Sequence, residues 1–174
     1  MTAREAKRGR PVVLALGSNL GDRLANLQLG VDVLAADPGI EAIAVSRVFE
    51  TIPVGGPDQP DYLNAVLLAD SALPALAILD RCLAAELKAG RVRTVRWGPR
   101  TLDVDVIACG AEISADPVLT LPHPRARERA FVLAPWLDVD PDAVLPGNGP
   151  VAALLAGVGT GGIRPAADLV LRIG

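Results

Sequence analysis

Two aspartates, Asp103 and Asp105, stand two positions apart in the apolar run Leu102-Asp103-Val104-Asp105-Val106. Because side chains alternate along a β-strand, a strand here would point both carboxylates to one face, about 7 Å apart. Adjacent carboxylates repel each other, and a cation between them relieves that repulsion. Carboxylate oxygens suit magnesium, and such a pair could bridge two ions about 4 Å apart. The pattern predicts a metal site, with the solvent-facing half of an amphipathic strand as the alternative.

The segment just before this pair, residues 90–100, is rich in arginine. Of the 17 cations in the chain only Lys7 and Lys88 are lysines, and seven arginines lie between positions 91 and 129. The guanidinium group binds phosphate oxygens with a planar pair of donors. A cation-rich loop beside two carboxylates is typical of a nucleoside triphosphate site, where the acids hold metal and the arginines neutralise phosphate charge. Its glycines and proline also favour closure over a ligand.

Ring side chains are rare in this chain and mark two further motifs. His123, the one histidine, lies between two prolines and shortly before Arg129 and Phe131. An imidazole beside arginines can contact phosphate, and a structural histidine is the alternative. Tyr62 and Asn64 are two positions apart and share a strand face. A ring beside an amide can stack on a flat heterocycle and bind its edge, and an ordinary strand edge is the alternative.

Composition excludes several classes of protein. The 174 residues suit one domain, and no run approaches the roughly 20 apolar residues of a membrane helix. No apolar signal core follows the basic segment 1–10, and Cys82 and Cys109 form no metal-binding pair. The net charge of −3 argues against general binding of nucleic acid. We expect a cytoplasmic monomer that binds small molecules, with a basic arm over 1–10 and a single domain over 11–174.

The order of predicted elements indicates the fold that positions these residues. Apolar periodicity and turn residues predict strands over 12–16, 40–50, 62–69 and 102–108 and helices over 22–36 and 74–89. This β-α-β-β-α-β order is typical of an α+β, ferredoxin-like antiparallel sheet with both helices on one face and the other face free for a ligand. C-terminal additions follow, for which we expect short helices over 130–137 and 151–158 and a short strand over 169–173.

In this order, these motifs resemble the 6-hydroxymethyl-7,8-dihydropterin pyrophosphokinase family of folate biosynthesis. The matching segments are 16–23, 51–64, 90–105 and 121–133, and the string Arg-Trp-Gly-Pro-Arg-Thr-Leu-Asp-Val-Asp over 96–105 is the most specific of them. The resemblance implies transfer of the pyrophosphoryl unit of ATP to the hydroxymethyl oxygen of the pterin, with release of AMP. It also implies two Mg²⁺ ions, ATP as co-substrate, and three mobile loops, about 17–24, 52–62 and 91–100.

Residue roles are carried over from the family position by position. The implied catalytic residues are Arg91, Arg100, Asp103 and Asp105, and the two aspartates are the implied metal ligands. The implied ATP-binding residues are Glu86, Arg91, Arg93, Trp97, Arg100, Thr120, His123 and Arg129. The implied pterin-binding residues are Thr51, Pro53, Val54, Tyr62, Asn64, Trp97 and Phe131.

Two other functions remain open at this point. A different metal-dependent nucleotide transferase would use the same aspartates but cut after the α-phosphate and release pyrophosphate. A ligand-binding module on the same sheet would bind a small molecule without magnesium, since one fold hosts many functions. An RNA-binding sheet would need more exposed aromatics than Tyr62 and Phe131.

Overall fold

An antiparallel sheet of six strands organises the computed structural model of the chain, which describes residues 9–53, 55–92 and 96–174. Its strands are β1 (Arg10–Ser18), β2 (Glu41–Val45), β3 (Phe49–Thr51), β4 (Tyr62–Ser71), β5 (Asp103–Cys109) and, after four short strands that lie outside it, β10 (Ile163–Pro165). The strand order is β10-β3-β4-β1-β5, and β2 pairs with β4 beyond the end of β3. The four short strands form two hairpins, β6 (Ser114–Ala115) with β7 (Thr120–Leu121) and β8 (Val144–Leu145) with β9 (Gly149–Pro150).

Four α-helices flank the sheet in the described part of the chain. They are α1 (Arg23–Ala35), α2 (Ala75–Lys88), α3 (Ala130–Val139) and α4 (Val151–Val158), with a 3-10 turn over Ala126–Glu128 ahead of α3. Asp22 caps α1, because its carboxylate accepts a hydrogen bond of 3.1 Å from the Ala25 amide. None of these helices is long and apolar enough to cross a membrane.

Both faces of the sheet are covered by helices. On one face, side chains such as Leu14, Leu16 and Leu67 pack with the buried residues of α1 and α2. On the other face, Val13, Val66 and Ile107 pack with α3 and α4 around Trp136. The prediction of a face left free for a ligand is therefore wrong over this region. Apolar side chains alternate onto the second face as well, and they must also be buried away from water.

The predicted order of elements agrees with a mixed α/β chain on an antiparallel sheet. The expected strand over 40–50 is divided into β2 and β3, and Ser46 lies in the break. The Ser46 hydroxyl accepts a hydrogen bond of 2.9 Å from the Val66 amide of β4, where a continuous strand would offer a carbonyl. Because of this break, β3 is only three residues long, and it lies at the edge of the candidate active site.

The C-terminal end differs from expectation. Residues 169–173 form no strand. At Arg172, the side chain of Gln28 in α1 supplies the hydrogen-bond partners of the backbone. Its amide oxygen accepts from the Arg172 amide at 3.0 Å and its Nε2 donates to the Arg172 carbonyl at 2.7 Å. The added strand lies earlier, as β10, which pairs with β3.

Candidate active site

The two aspartates lie near the start of β5, next to the end of β1. In register, Gly17 faces Asp103 on one side and Asn64 of β4 on the other, and Ala15 faces Asp105. A Cβ atom on Gly17 would lie 3.0 Å from Asn64 Oδ1 and 3.4 Å from Tyr62 Cδ1. Glycine at this position therefore allows the carboxylates and the polar end of β4 to share one surface.

Arginines from the preceding loop hold Asp103. Arg91 Nη1 donates to Asp103 Oδ1 at 2.6 Å, and Arg100 Nη1 donates to Oδ2 at 2.9 Å. Arg91 also donates to Glu86 Oε1 at 2.6 Å, and the same oxygen accepts from the Val104 amide at 3.0 Å. The Arg91 and Glu86 side chains are only 7% and 5% exposed. Moving Asp103 away would leave the buried Arg91 with one partner fewer, and an unpaired buried charge is strongly destabilising. The arrangement therefore holds Asp103 in position.

The two aspartates differ in proton affinity. Burial acts to raise the pKa of Asp103, but Arg100 and Arg91 outweigh it and hold that pKa below its ordinary value. Burial and the neighbouring charge of Asp103 raise the pKa of Asp105 to about 7. Arg129 Nη1 approaches Asp105 Oδ2 only to 3.8 Å. Asp105 therefore has the weaker charge compensation, and a bound cation would favour its ionised form.

The donor set fits magnesium that is shared with a substrate. The Asp103 and Asp105 side chains are 20% and 30% exposed, so both carboxylates can be reached. Within residues 9–53, 55–92 and 96–174, no group of three or more His, Cys, Asp or Glu residues could hold a metal. Magnesium is commonly bound through one or two carboxylates, waters and substrate phosphates. Two aspartates beside an arginine cluster match that type of site and do not match an all-protein cage.

A cavity of about 440 Å³ opens beside Asp103. It is lined by nine of the residues expected from the sequence: Thr51, Pro53, Tyr62, Asn64, Trp97, Arg100, Asp103, Arg129 and Phe131. Asn64 Nδ2 donates to Thr51 Oγ1 at 2.7 Å, which fixes the orientation of both groups. The Arg129 guanidinium carbon lies 5.4 Å from the centre of the Phe131 ring. Aromatic rings and polar groups thus line one end, and arginine and carboxylate line the other.

Other expected site residues lie outside this cavity lining. Glu86 and Arg91 lie behind Asp103, and Asp105 lies beside Arg129. The Thr120 hydroxyl donates to the Asp116 carbonyl at 3.0 Å. The ATP contacts predicted for Glu86, Arg91 and Thr120 stay predictions, as do the catalytic and metal-binding roles predicted for Asp105. Val54 and Arg93 fall outside the described residues.

His123 is held by two backbone contacts. Its amide donates to the Ile107 carbonyl at 2.8 Å, and its Nδ1 accepts from the Arg125 amide at 3.2 Å. Burial, together with the charge of Arg129, lowers the pKa of His123 to about 4. The imidazole is therefore neutral at physiological pH, with Nδ1 as acceptor and Nε2 as the protonated nitrogen available to a ligand.

Asn19 joins the three loops and was missed in the sequence. Its side-chain Oδ1 accepts from the backbone amide of Arg100 at 2.8 Å, and the backbone amide of Asn19 donates to the Arg100 carbonyl at 3.1 Å. Its Nδ2 donates to Gln59 Oε1 at 2.9 Å and to the Pro60 carbonyl at 3.0 Å. Gln59 in turn donates to the carbonyl of Trp97 at 3.0 Å. The available signal was the position of Asn19 shortly after an apolar strand, within the matching segment 16–23.

Trp97 adopts a backbone conformation that is rare for a large residue, with φ of 59°. Its ring lies over Gly55, where an added Cβ would be 3.7 Å from Trp97 Cε3. At Gly56 an added Cβ would lie 2.7 Å from the Trp97 carbonyl oxygen. Strain of this kind persists where surrounding contacts enforce it and is common at ligand-binding sites. Gly55 and Gly56 therefore contact Trp97 closely at the cavity.

The cavity also has a wall that no sequence motif indicated. Six lining residues that had no predicted role lie in the predicted segments 51–64 and 121–133, namely Ile52, Gly55, Gln59, Arg125, Glu128 and Ala130. The wall that no motif indicated consists of Val158, Gly159, Gly161, Gly162 and Ile163, at the end of α4, in the turn after it and at the start of β10. A glycine-rich turn has no apolar periodicity, so the pattern contained no signal for its position.

Comparison with known proteins agrees with this geometry. Residues 13–141 match the family model described as 7,8-dihydro-6-hydroxymethylpterin-pyrophosphokinase. A 2-amino-4-hydroxy-6-hydroxymethyldihydropteridine pyrophosphokinase of Mycobacterium leprae is 54% identical over 145 residues, covering 77% of this chain and 74% of the relative. The enzyme of the same name from Methylorubrum extorquens is 48% identical over 136 residues, covering 78% and 85%.

Solved structures show the same fold. A Plasmodium falciparum HPPK-DHPS triple mutant superposes with a TM-score of 0.69 at 12% identity. The match covers 87% of this chain but 43% of that longer chain, so this chain spans less than half of it. At this identity the likeness concerns the fold alone. Together with the family model and the close relatives, it leads to one assignment. The chain belongs to the 7,8-dihydro-6-hydroxymethylpterin-pyrophosphokinase family.

Proposed function

We propose that this chain transfers the β,γ-pyrophosphoryl group of ATP to the hydroxymethyl oxygen of 6-hydroxymethyl-7,8-dihydropterin in folate biosynthesis. In this reaction a bond forms between the hydroxymethyl oxygen and the β-phosphorus. The bond from the β-phosphorus to the α,β-bridging oxygen breaks, AMP leaves, and the hydroxyl proton is released. The observation that carries the proposal is a single cavity that joins Tyr62, Asn64 and Phe131 to Arg100 and Asp103. The family membership of residues 13–141 supports the same reaction.

The aromatic end of the cavity is proposed to hold the pterin. Tyr62 and Phe131 offer ring faces for a flat bicyclic substrate. Asn64 is already oriented by Thr51, so its amide can bind the polar edge of the substrate without losing further side-chain freedom. The hydroxymethyl group would then point towards the carboxylate and arginine end.

Arginines are proposed to hold the phosphates. The guanidinium group has five N–H donors, and Arg100 uses one nitrogen on Asp103, so others remain for phosphate oxygens. Arg129 and the neutral His123 add donors on the side of Asp105. Arg91 is fixed by Glu86 and supports Asp103 from behind. Preorganised donors of this kind stabilise the charge that moves onto the leaving AMP.

Asp103 and Asp105 are proposed as ligands of two Mg²⁺ ions. When bound, these ions would neutralise phosphate charge and align the reacting groups. The chain contributes two reachable carboxylates on one strand face and arginines that keep Asp103 ionised. In this account the protein is a cytoplasmic monomer on a ferredoxin-like sheet, and its partners are the two small-molecule substrates.

The nucleotide product tests the proposal. The purified chain is incubated with ATP, magnesium and 6-hydroxymethyl-7,8-dihydropterin, and nucleotides are separated by chromatography. We expect AMP in equal amount to the pterin product, and no turnover when a chelator removes magnesium. ADP would contradict the proposal, free pyrophosphate would indicate the transferase that cuts after the α-phosphate, and magnesium-independent binding without turnover would indicate the binding module.

A further inference from the structure

The turn and strand after α4 border the cavity although they lie beyond residues 13–141, which match the family model. We define residues 158–166 as the C-terminal strap. We propose that the strap is a positioning element that fixes β3 and the first residues of loop 52–62, and so sets the affinity for the pterin. This inference rests on the proposed function, because it concerns the pterin end of the same cavity.

Within the strap, β10 pairs with all three residues of β3. Ile163, Arg164 and Pro165 lie opposite Thr51, Glu50 and Phe49. Beyond each end of this pairing the backbones are also joined. The Ile52 amide donates to the Gly162 carbonyl at 3.0 Å, and the Ala166 amide donates to the Val48 carbonyl at 2.8 Å.

Without the strap, β3 would be a three-residue strand with β4 as its only neighbour. Short edge strands have few hydrogen bonds and open easily. The strap gives β3 a second neighbour, so β3 is no longer the edge strand of the sheet. This matters at Thr51, which is 5% exposed and holds the Asn64 amide at 2.7 Å.

Charged side chains link the strap to Glu50 of β3 and, through Arg23, to the end of loop 52–62. Arg164 Nη2 lies 2.7 Å from Glu50 Oε1, and Arg23 Nη2 lies 3.9 Å from Glu50 Oε2. Arg23 also donates to the Asp61 carbonyl at 3.0 Å, next to Tyr62. Glu50 of β3 therefore contacts both Arg164 of the strap and Arg23, which holds the end of loop 52–62 next to Tyr62. The start of the loop follows β3 directly, so both ends of the loop are connected to β3.

Glycine is required where the strap reaches the loop. Gly162 has a φ of +80°, a backbone conformation that residues with a side chain rarely adopt. A Cβ added at Gly162 would lie 3.7 Å from Ile52 Cδ1. A substitution at Gly162 therefore strains the turn at the residue whose carbonyl accepts the Ile52 amide. Gly147 offers a matched control, with φ of +73° and no atom within 4 Å of an added Cβ. It lies in the turn between β8 and β9, and it does not line the cavity.

The test compares Gly162→Ala with Gly147→Ala in the full chain. Pterin affinity is measured by titration in the presence of magnesium and a non-hydrolysable ATP analogue, ATP KM is measured separately, and hydrogen exchange is followed at the Ile52 amide. We expect Gly162→Ala to weaken pterin binding about three- to tenfold, as for one lost hydrogen bond, with ATP KM changed less than about twofold. Exchange at Ile52 should accelerate in this variant alone, and Gly147→Ala should match the unmodified chain.

Several results would overturn the inference. These are unchanged pterin affinity in Gly162→Ala, weaker affinity without faster exchange at Ile52, and equal weakening in both glycine variants. Should Gly162→Ala fail to fold, Arg164→Ala decides the matter, since that side chain is 72% exposed and its loss leaves the core intact. It should weaken pterin binding about twofold, and unchanged affinity would count against the strap. Absence of turnover in the unmodified chain would instead refute the proposed function.

Discussion

At the scale of single residues, the site depends on two carboxylates with different surroundings. Asp103 accepts hydrogen bonds from Arg91 and Arg100, and its pKa lies below its ordinary value. Asp105 lies 3.8 Å from Arg129, and burial with the charge of Asp103 raises its pKa to about 7. The first carboxylate is thus held in place by protein cations, whereas a bound cation would favour the ionised form of the second.

Asp105→Ala is expected to remove most turnover, because one of two magnesium ligands is lost. We expect kcat to fall about a hundred- to thousandfold, which is the usual loss when one electrostatic contact to a transition state is removed. Pterin binding, measured by fluorescence titration, should largely survive because Tyr62 and Phe131 are unchanged. Asp70→Ala, at the opposite end of the sheet, is the matched control and should keep full activity. Near-normal turnover in Asp105→Ala would exclude the metal role.

Arg100→Ala is expected to lower kcat far more than it raises the KM for ATP. The contacts of Arg100 with Asn19 use its backbone, so the substitution removes only the guanidinium group from the site. A loss of about a hundredfold in kcat is expected if this group stabilises the transferring phosphoryl charge. Arg100→Lys should recover part of the rate, since the charge returns without the planar pair of donors. An unchanged kcat in Arg100→Ala would remove it from that role.

At the scale of elements, Asn19 couples three loops that the chain presents at one end of the sheet. Its side chain is buried and makes three hydrogen bonds, to Arg100, Gln59 and Pro60. Through Gln59 the coupling reaches Trp97. The loops that carry the arginines and the pterin wall are therefore held relative to one another by one amide.

Asn19→Ala is expected to destabilise the chain by about 2 to 3 kcal/mol, as for three part-buried hydrogen bonds. It should also lower kcat, because Arg100 and Trp97 lose their common anchor. Denaturant unfolding and steady-state kinetics measure the two effects. Asn26→Ala is the matched control, since its amide makes an exposed bond to the Leu20 carbonyl. If Asn19→Ala keeps both stability and kcat, the loops are positioned by other contacts.

The main elements could be predicted from the sequence because they follow simple periodicities. The alternation in Asp103–Cys109 and the apolar spacing of α1 and α2 are local properties, and each corresponds to an observed element. The division of the strand over 40–50 was not predictable. It depends on the Ser46 hydroxyl, which takes the place of a backbone carbonyl as acceptor for the Val66 amide of β4. Long-range hydrogen bonds of this kind leave no local pattern.

The candidate site was predictable where motifs carry it and not elsewhere. Nine residues expected from the motifs and the family resemblance line one cavity. Asn19 and the C-terminal strap were missed, since a buried amide in a turn and a glycine-rich turn have no periodicity to read. The expected strand over 169–173 was wrong, and at Arg172 the Gln28 side chain bonds the backbone amide and carbonyl that a strand would pair.

At the scale of the whole molecule, the stability should depend on pH through His123. Burial and Arg129 lower its pKa from 6.5 to about 4 in the folded chain, so the unfolded chain binds the proton more tightly. The contribution of neutral His123 is therefore complete above about pH 6.5 and is lost as the pH falls towards 4. Urea unfolding at pH 7.5 and 4.5 should show a smaller difference for His123→Gln than for the unmodified chain. Equal differences in the two proteins would mean that His123 does not contribute.

The route of the phosphorus atoms tests the central claim most directly. The chain is incubated with magnesium and 6-hydroxymethyl-7,8-dihydropterin in two parallel reactions, one with ATP labelled at the α-phosphate and one with ATP labelled at the γ-phosphate. We predict that the γ-label appears in the pterin product and the α-label appears in AMP. An α-label in the pterin product, or a γ-labelled pterin product formed together with ADP, would contradict transfer of the β,γ-pyrophosphoryl group.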